Sequence, residues 1–369
     1  MQILITGATG FLGGATAAAM IEDRRVETLR FLVRAVSPTS GLVRLRESLA
    51  RFEVAPAQLD RLDADQIILG DLADVAAFAA DRRLDTITHV LNCAAITSFG
   101  KHPKTWPINV VGTLAFARRM SEVPGLQRFV HVGTAMACGP NKSIKFISEN
   151  WELPDREEHL VDYTASKAEA ERRMREELPG LPLVVARPSI VVGHSRLGCA
   201  PSSSIFWVIR MGTEIEKFMC ELDAQVDIVP VDYCADALKM LLLKPHLDHD
   251  LYHISAGRDG ACTAREIDIA VAAHKGVPPI GGRYQKVGVD DIKSLAPLFA
   301  EKLGITNRRL IMKAMTLYGA FSELAYVFDN SRVVSAGLAP APRFTDYIGR
   351  CLSTSDGMTF TEQMLNDFK

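Results

Sequence analysis

Along the first half of this chain, short runs of consecutive apolar residues alternate with longer stretches in which apolar positions recur every three or four residues. Ile3, Leu4 and Ile5 open the series, and the runs at 28–33, 66–69, 86–93, 127–133 and 183–187 continue it. Short stretches built round such apolar clusters, Phe31-Leu32-Val33 and Ile67-Ile68-Leu69 among them, are what strands buried on both faces require. Between them, helical spacing predicts helices from about 11 to 21, over 41–52 with Leu42, Leu45 and Leu49 on one face, over 108–121, and over 162–178, where Pro179-Gly180 ends the last. Strand and helix in regular alternation predict an α/β chain: a doubly wound parallel sheet covered on both faces.

The pattern changes after Gly193. Residues 194–225 carry Gly, Ser and Pro with scattered aromatics, among them Phe206, Trp207 and Phe218. A strand at 226–231, a helix at 233–243 and a strand at 251–254 are then expected to return to the sheet. A helix at 263–274 follows, and beyond Pro278 the segments are shorter and mostly helical. The expected organisation is a dinucleotide-binding domain over 1–193, rejoined by 226–257, and a smaller, mostly helical, discontinuous substrate lobe from 194–225 and 258–369. The apolar run at 205–209 and the stretch 310–328 favour a lipid-like or acyl group in that lobe. The second of these is broken by Lys313 and Glu323, and no uninterrupted run reaches the roughly 20 apolar residues of a membrane span.

The first strand runs straight into Gly7-x-x-Gly10-x-x-Gly13 and a helix of small residues. Gly7 can take a turn that a Cβ would obstruct, Gly10 lets backbone N–H groups approach a diphosphate, and Gly13 lets the helix pack closely on the sheet. Thr9, Phe11 and Leu12 complete the turn and the helix start, whose unpaired N–H groups and positive dipole end suit an anion. A strand that begins at residue 2 leaves no room for a signal or transit peptide. At the tip of the second strand, where an NAD-binding sheet usually offers an acid to the ribose 2′-hydroxyl, this chain reads Leu32-Val33-Arg34. Arg34, assisted by Arg44, suits a 2′-phosphate, so NADP(H) is expected over NAD(H).

Tyr163 and Lys167 lie four apart in a predicted helix, on one face. An ammonium beside a phenol favours the phenolate, which is expected to bring proton exchange nearer neutral pH. Thr134 ends the fifth strand, where ligands of open α/β sheets bind, and its hydroxyl could serve a substrate carbonyl or simply cap the corner. Composition removes other classes. The 369 residues carry a net charge of −2, which offers nothing to nucleic acid or a polybasic membrane surface. The seven cysteines are odd in number and without a C-x-x-C pair, which suggests reduced thiols, a cytoplasmic location and no zinc site; nor do the nine histidines form an H-x-x-x-H.

Taken together, the glycine run, Gly70-Asp71-Leu72, Asn92-Cys93-Ala94-Ala95, Asn109-Val110-Val111-Gly112-Thr113, Thr134 and Tyr163-x-x-x-Lys167 resemble an extended short-chain dehydrogenase/reductase with a Rossmann-type sheet. LVRA at 32–35, RLRESLARF at 44–52, AAITSF at 94–99 and RPSIVVGHSRLG at 187–198 are similar to the thioester reductase and fatty acyl reductase branch, the male-sterility-type NAD-binding domains. That resemblance implies catalysis by Thr134, Tyr163 and Lys167. It further implies that Asp71 meets the adenine or else caps the next turn, and that Leu72, Ala94 and Ala95 line the cofactor. Asn109 would cap its helix or hold a proton-passing water towards Lys167, and the backbone of Pro188 and Ser189 would lie by the nicotinamide. It implies hydride transfer from NADPH to an acyl group on coenzyme A or on a carrier protein acting in trans, since no carrier domain is recognised here. Met136 and Cys138 depart from the residues that branch often has after its Thr. A homodimer is expected by analogy alone. Rival readings on the same residues are a nucleotide-sugar epimerase or dehydratase, a sterol-type alcohol dehydrogenase, and a non-catalytic NADP-sensing regulator.

Overall fold

Seven parallel strands build the central sheet of the computed structural model: β1 (Ile3–Thr6), β2 (Leu29–Val33), β3 (Ile67–Leu69), β4 (His89–Asn92), β5 (Arg128–Val132), β6 (Leu183–Pro188) and β7 (Leu251–Ile254). Their spatial order is β7-β6-β5-β4-β1-β2-β3. β1 lies between β2 and β4, with Ile3 opposite both Leu29 and His89. The chain reverses its direction of winding there, and the crevice at the strands' carboxyl ends opens beside the β1 turn. All four residues of β1 and of β4 are buried, as in a sheet with helices on both faces. The structure describes residues 1–303 and 308–367; positions 304–307 and 368–369 of the expected second lobe lie outside the described residues.

The helices used below are α1 (Phe11–Glu22), α2 (Pro38–Ala50), α3 (Thr113–Ser121), α4 (Asp162–Glu177), α5 (Phe206–Ile215), α6 (Val231–Leu243), α7 (Ala264–Lys275), α8 (Arg308–Ser322) and α9 (Phe344–Thr354). Ala15, Ala17 and Ala18 share a core with Ala235, Leu238 and Leu242, so α1 and α6 pack closely on one face of the sheet. α2 begins three residues before the apolar spacing suggests. Ser37 accepts a hydrogen bond from the Ser40 amide, Ser40 reciprocates, and Pro38 stands at the first helical position. The predicted helix 108–121 is two pieces: a π-helical turn at Pro107–Gly112, then α3.

The strand expected at 226–231 does not join the main sheet. It divides between two small ladders: Gln225–Val226 pairs antiparallel with Cys262–Thr263, and Ile228–Val229 pairs with Ile190–Val191. Asp227, 1% exposed, directs its carboxylate to the amides of Ala256 and Phe328 at 2.9 and 3.0 Å, which takes this segment away from the ladder β6 and β7 share. Pro230 then ends it. Among the described residues the second half of the chain holds further cores, two of them large. One joins Val192, Phe206, Ile228, Ile267 on α7 and Phe344, Tyr347 and Ile348 on α9. The other joins Trp207, Met211, Met219, Phe299, Met315 and Tyr318. Val333, Ala336 and Ala341 return to the core of β1 and α1. Among the described residues no helix is long and apolar enough to cross a membrane.

β7 also carries a buried histidine. His253 is fully enclosed, its Nδ1 lies 3.1 Å from the Asp329 carbonyl, and its Nε2 has no partner among the described residues. Burial, with Arg187 nearby, holds its pKa down at about 3. The unfolded chain binds a proton there below about pH 6.5 and the native chain does not, so this residue's contribution falls as pH drops from about 6.5 towards 3. His253→Gln should remove about 1.4 kcal/mol of acid sensitivity per pH unit in that window. Urea midpoints at pH 7 and 5.5 check it: the variant should lose less stability than the parent between the two.

Candidate active site

The β1 turn is a cradle of bare backbone. Gly7 has φ +71°, and a Cβ on it would stand 2.8 Å from the Ala94 amide nitrogen. A Cβ on Gly13 would stand 2.4 Å from the Gly7 carbonyl oxygen, so α1 rests directly on the turn. Gly10, exposed, starts α1 without a side-chain cap, and no acid stands in the first turn. A helix start left this way fits a diphosphate. Two residues outside the sequence expectation fix the loop from behind: Ser48 Oγ and Arg51 Nη2 donate to the Thr9 carbonyl at 3.0 and 3.2 Å. Phe11 stacks on Phe52, ring centroids 6.4 Å apart, and Leu12 packs on the core.

On the β4 side, Thr6 Oγ1 donates to Asn92 Oδ1 at 2.6 Å and accepts from the Ala94 amide at 3.1 Å. This sets Ala94 and Ala95 beside the turn. Asn92 continues to His131 on β5, its Nδ2 3.1 Å from His131 Nδ1, and burial keeps that imidazole neutral. At the other edge, Arg34 and Asp71 meet over the ends of β2 and β3, Nη1 to Oδ2 3.8 Å, both well exposed. Arg44 Nη1 donates to the Arg34 carbonyl at 2.8 Å. Asp71 Oδ1 accepts from the Ala73 amide, closing the turn, while the Leu72 side chain belongs to the core.

Asn109 sits inside the π-helical turn and is not a helix opener. Its amide clamps the loop after β4, giving 2.9 Å to the Ile96 carbonyl and accepting 2.8 Å from the Ile96 amide, and it donates to Ser166 Oγ at 3.0 Å. Ser166 passes the contact on to the Tyr163 carbonyl at 2.7 Å. The extra residue of a π turn rotates a side chain out of the α-helical order, a device frequent at functional sites. Pro188 ends β6, and the Ser189 amide donates to the Ile254 carbonyl at 3.0 Å.

α4 brings Lys167 to the carboxyl end of β5, with Tyr163 one turn before it on the same helix face. Lys167, 3% exposed, donates from Nζ to the Val132 carbonyl at 2.7 Å. Thr134, 8% exposed, follows two residues later and opens the turn 135–138, on which α4 packs. Its Oγ1 accepts the Met136 amide at 3.3 Å, which leaves the hydroxyl proton free to point elsewhere. The ring of Tyr163 lies 5.7 Å from that of Phe99, and Phe99 in turn lies 5.1 Å from Tyr318 and 5.2 Å from Phe321. Of the two stretches expected to favour an acyl group, Phe206 and Trp207 of the first are wholly buried in the two lobe cores, whereas Tyr318 and Phe321 of the second, on α8, stand behind Phe99, the ring that meets Tyr163.

The protonation states differ from the sequence expectation. Burial pushes the Tyr163 phenol up to about 12, and the negative Glu171 adds to the shift. Burial pulls the Lys167 ammonium down to about 8, against the negative Glu171, which holds it up. The ammonium spends its hydrogen bond on Val132 and does not bring the phenol down. The result is a tyrosine that keeps its proton, the state a proton donor needs.

The aldehyde reductase lnaA of Aspergillus flavus is 28% identical over 246 residues, 63% of this chain and 23% of that protein. The fatty acyl-CoA reductase wat of Drosophila melanogaster is 26% identical over 274 residues, 64% of this chain and 53% of that protein. The chain therefore spans about a quarter and about half of these two relatives. Among solved structures, the terminal R domain of the myxalamid PKS-NRPS biosynthetic pathway shares the fold at a TM-score of 0.76 and 23% identity, covering 96% of this chain and 90% of that one. A family model described as male sterility protein matches residues 5–238, well over half of the 369, and this chain belongs to that NAD-binding family.

Proposed function

We propose that this chain is an NADPH-dependent oxidoreductase that reduces the carbonyl of an acyl thioester or of the corresponding aldehyde. What supports the reading is that Lys167 is held on the Val132 carbonyl at the end of β5, two residues before Thr134, with Tyr163 one turn away on the same face of α4. The names of the two relatives, an aldehyde reductase and a fatty acyl-CoA reductase, support the same chemistry. When bound, NADPH supplies the hydride. The chain's residues do the rest. Thr134 donates to the carbonyl oxygen and orients it. Tyr163 gives its proton to that oxygen as negative charge develops. Lys167 holds positive charge beside both and grips the ribose hydroxyls. A thioester reduced in this way becomes a thiohemiacetal, which collapses to aldehyde and thiol.

The rings of Phe99, Tyr318 and Phe321 favour an apolar or aromatic group next to the reacting carbon over the diphosphate of a nucleotide sugar. NADPH oxidation measured against acyl-CoA, acyl-carrier, aldehyde and nucleotide-sugar substrates tests the reading, and turnover confined to nucleotide sugars would overturn it. Preference for the 2′-phosphate rests on Arg34, exposed at the tip of β2 with Arg44 against its carbonyl. Arg34→Ala should weaken NADPH binding about tenfold and leave NADH binding unchanged, as fluorescence titration of both would reveal.

A further inference from the structure

Tyr163, Lys167 and Glu171 stand four residues apart on α4 and share one face of the helix. Glu171 is wholly buried. Its Oε2 accepts two hydrogen bonds from Arg187, 2.9 Å from Nε and 2.7 Å from Nη2. Arg187, 1% exposed on β6, spends Nη1 on the Asn150 carbonyl at 3.0 Å. The other carboxylate oxygen, Oε1, has no hydrogen-bond partner among the described residues. It lies against Gly133, where a Cβ would stand 2.0 Å away. Gly133 separates Val132, whose carbonyl holds Lys167, from Thr134. One carboxylate thus lies against Gly133, between Thr134 and the Val132 carbonyl that holds Lys167, and stands one helical turn from Lys167 itself.

A buried ion pair is seldom more stabilising than apolar side chains of equal volume, so stability alone does not account for this one. We propose that Glu171 is a positioning residue for the reduction: locked by Arg187, it keeps the buried Lys167 ammonium charged and seats Gly133 so that Thr134 faces the substrate carbonyl. The titratable groups around Lys167 are Tyr163 and Glu171 on its own helix, Cys93 after β4, and His131 on β5, with Arg187 on β6 behind Glu171. Burial keeps Tyr163, Cys93 and His131 uncharged at neutral pH. Burial raises Glu171 on balance and Arg187 opposes that; the two hydrogen bonds from the Arg187 guanidinium mark its carboxylate as the anion, one turn from the ammonium. Without that anion Lys167 gives up its proton at lower pH.

This inference rests on the proposed reaction, and its test separates the two. The pH profile of kcat/KM for NADPH-dependent carbonyl reduction should be compared across the parent chain, Glu171→Gln, Glu171→Asp and the double variant E171L/R187M, whose apolar pair keeps the core filled. In Glu171→Gln and the double variant the basic limb should move at least about one pH unit lower, about a tenfold loss on that limb, whereas Glu171→Asp should restore it. The titration of Lys167 Nζ, followed by ¹⁵N NMR, should move the same way and needs no turnover. A parent chain that reduces no carbonyl would count against the reaction while leaving the Nζ titration to decide on Glu171. Folded variants whose limb or Nζ titration stays where the parent's lies would overturn the role.

Discussion

Tyr163→Phe is expected to lower kcat for NADPH-dependent carbonyl reduction at least about 100-fold, the scale of a lost general acid. The ring remains and its contact with Phe99 survives, so NADPH affinity and thermal stability should change little. That combination separates a proton donor from a packing residue. Because burial holds the phenol at about 12, Tyr163 stays loaded throughout the neutral and mildly basic range, and the basic limb of the parent's profile should follow Lys167, near 8. Retained turnover in Tyr163→Phe, measured at saturating NADPH, would remove the mechanism.

Gly13→Ala should have the second largest effect, on binding. The new Cβ meets the Gly7 carbonyl oxygen at 2.4 Å, its carbon at 2.7 Å and the Ala8 nitrogen at 3.1 Å. All three are backbone atoms, so no side chain can swing aside, and α1 must shift away from the turn. Overpacking of this kind costs about 1–3 kcal/mol. The displaced helix start should also weaken NADPH binding about tenfold or more, as isothermal titration would record. Unchanged affinity in a folded variant would mean that the diphosphate does not lie in this turn.

Much of the frame is legible from local pattern. The stretches at 28–33 and 127–133, short, mostly apolar and set between helical segments, fit strands of a two-sided sheet, and β2 and β5 lie where they fall. Tyr163 and Lys167 share a face because four residues on a helix make little more than one turn. The chain segment 226–231 misled for a physical reason: Asp227 sits in an apolar run, and its two backbone partners, Ala256 and Phe328, are 29 and 101 residues away. The charge state of the site was hidden for the same reason. Lys167 looks like a partner for the phenol when only the helix is considered, yet its hydrogen bond goes to β5, and the enclosure that raises Tyr163 is contributed by segments distant in the chain. Ser48, Arg51 and Arg187 fall in the stretches 44–52 and 187–198 that carry the resemblance, but their roles behind the glycine turn and behind Glu171 are not legible there, since each acts on an atom brought near only by folding.

The ring of Phe99 is a joint between two bodies of the molecule. On one side it meets Tyr163, and on the other Tyr318, which packs edge-on against Trp207 in a lobe core. If that lobe chooses the clientele, the choosing and the reacting parts communicate across a contact of apolar rings, tolerant of changed shape. A change of side chain at Tyr318 or Phe321 on α8 therefore reaches the Tyr163 ring by way of Phe99 and leaves the sequence of α4 untouched.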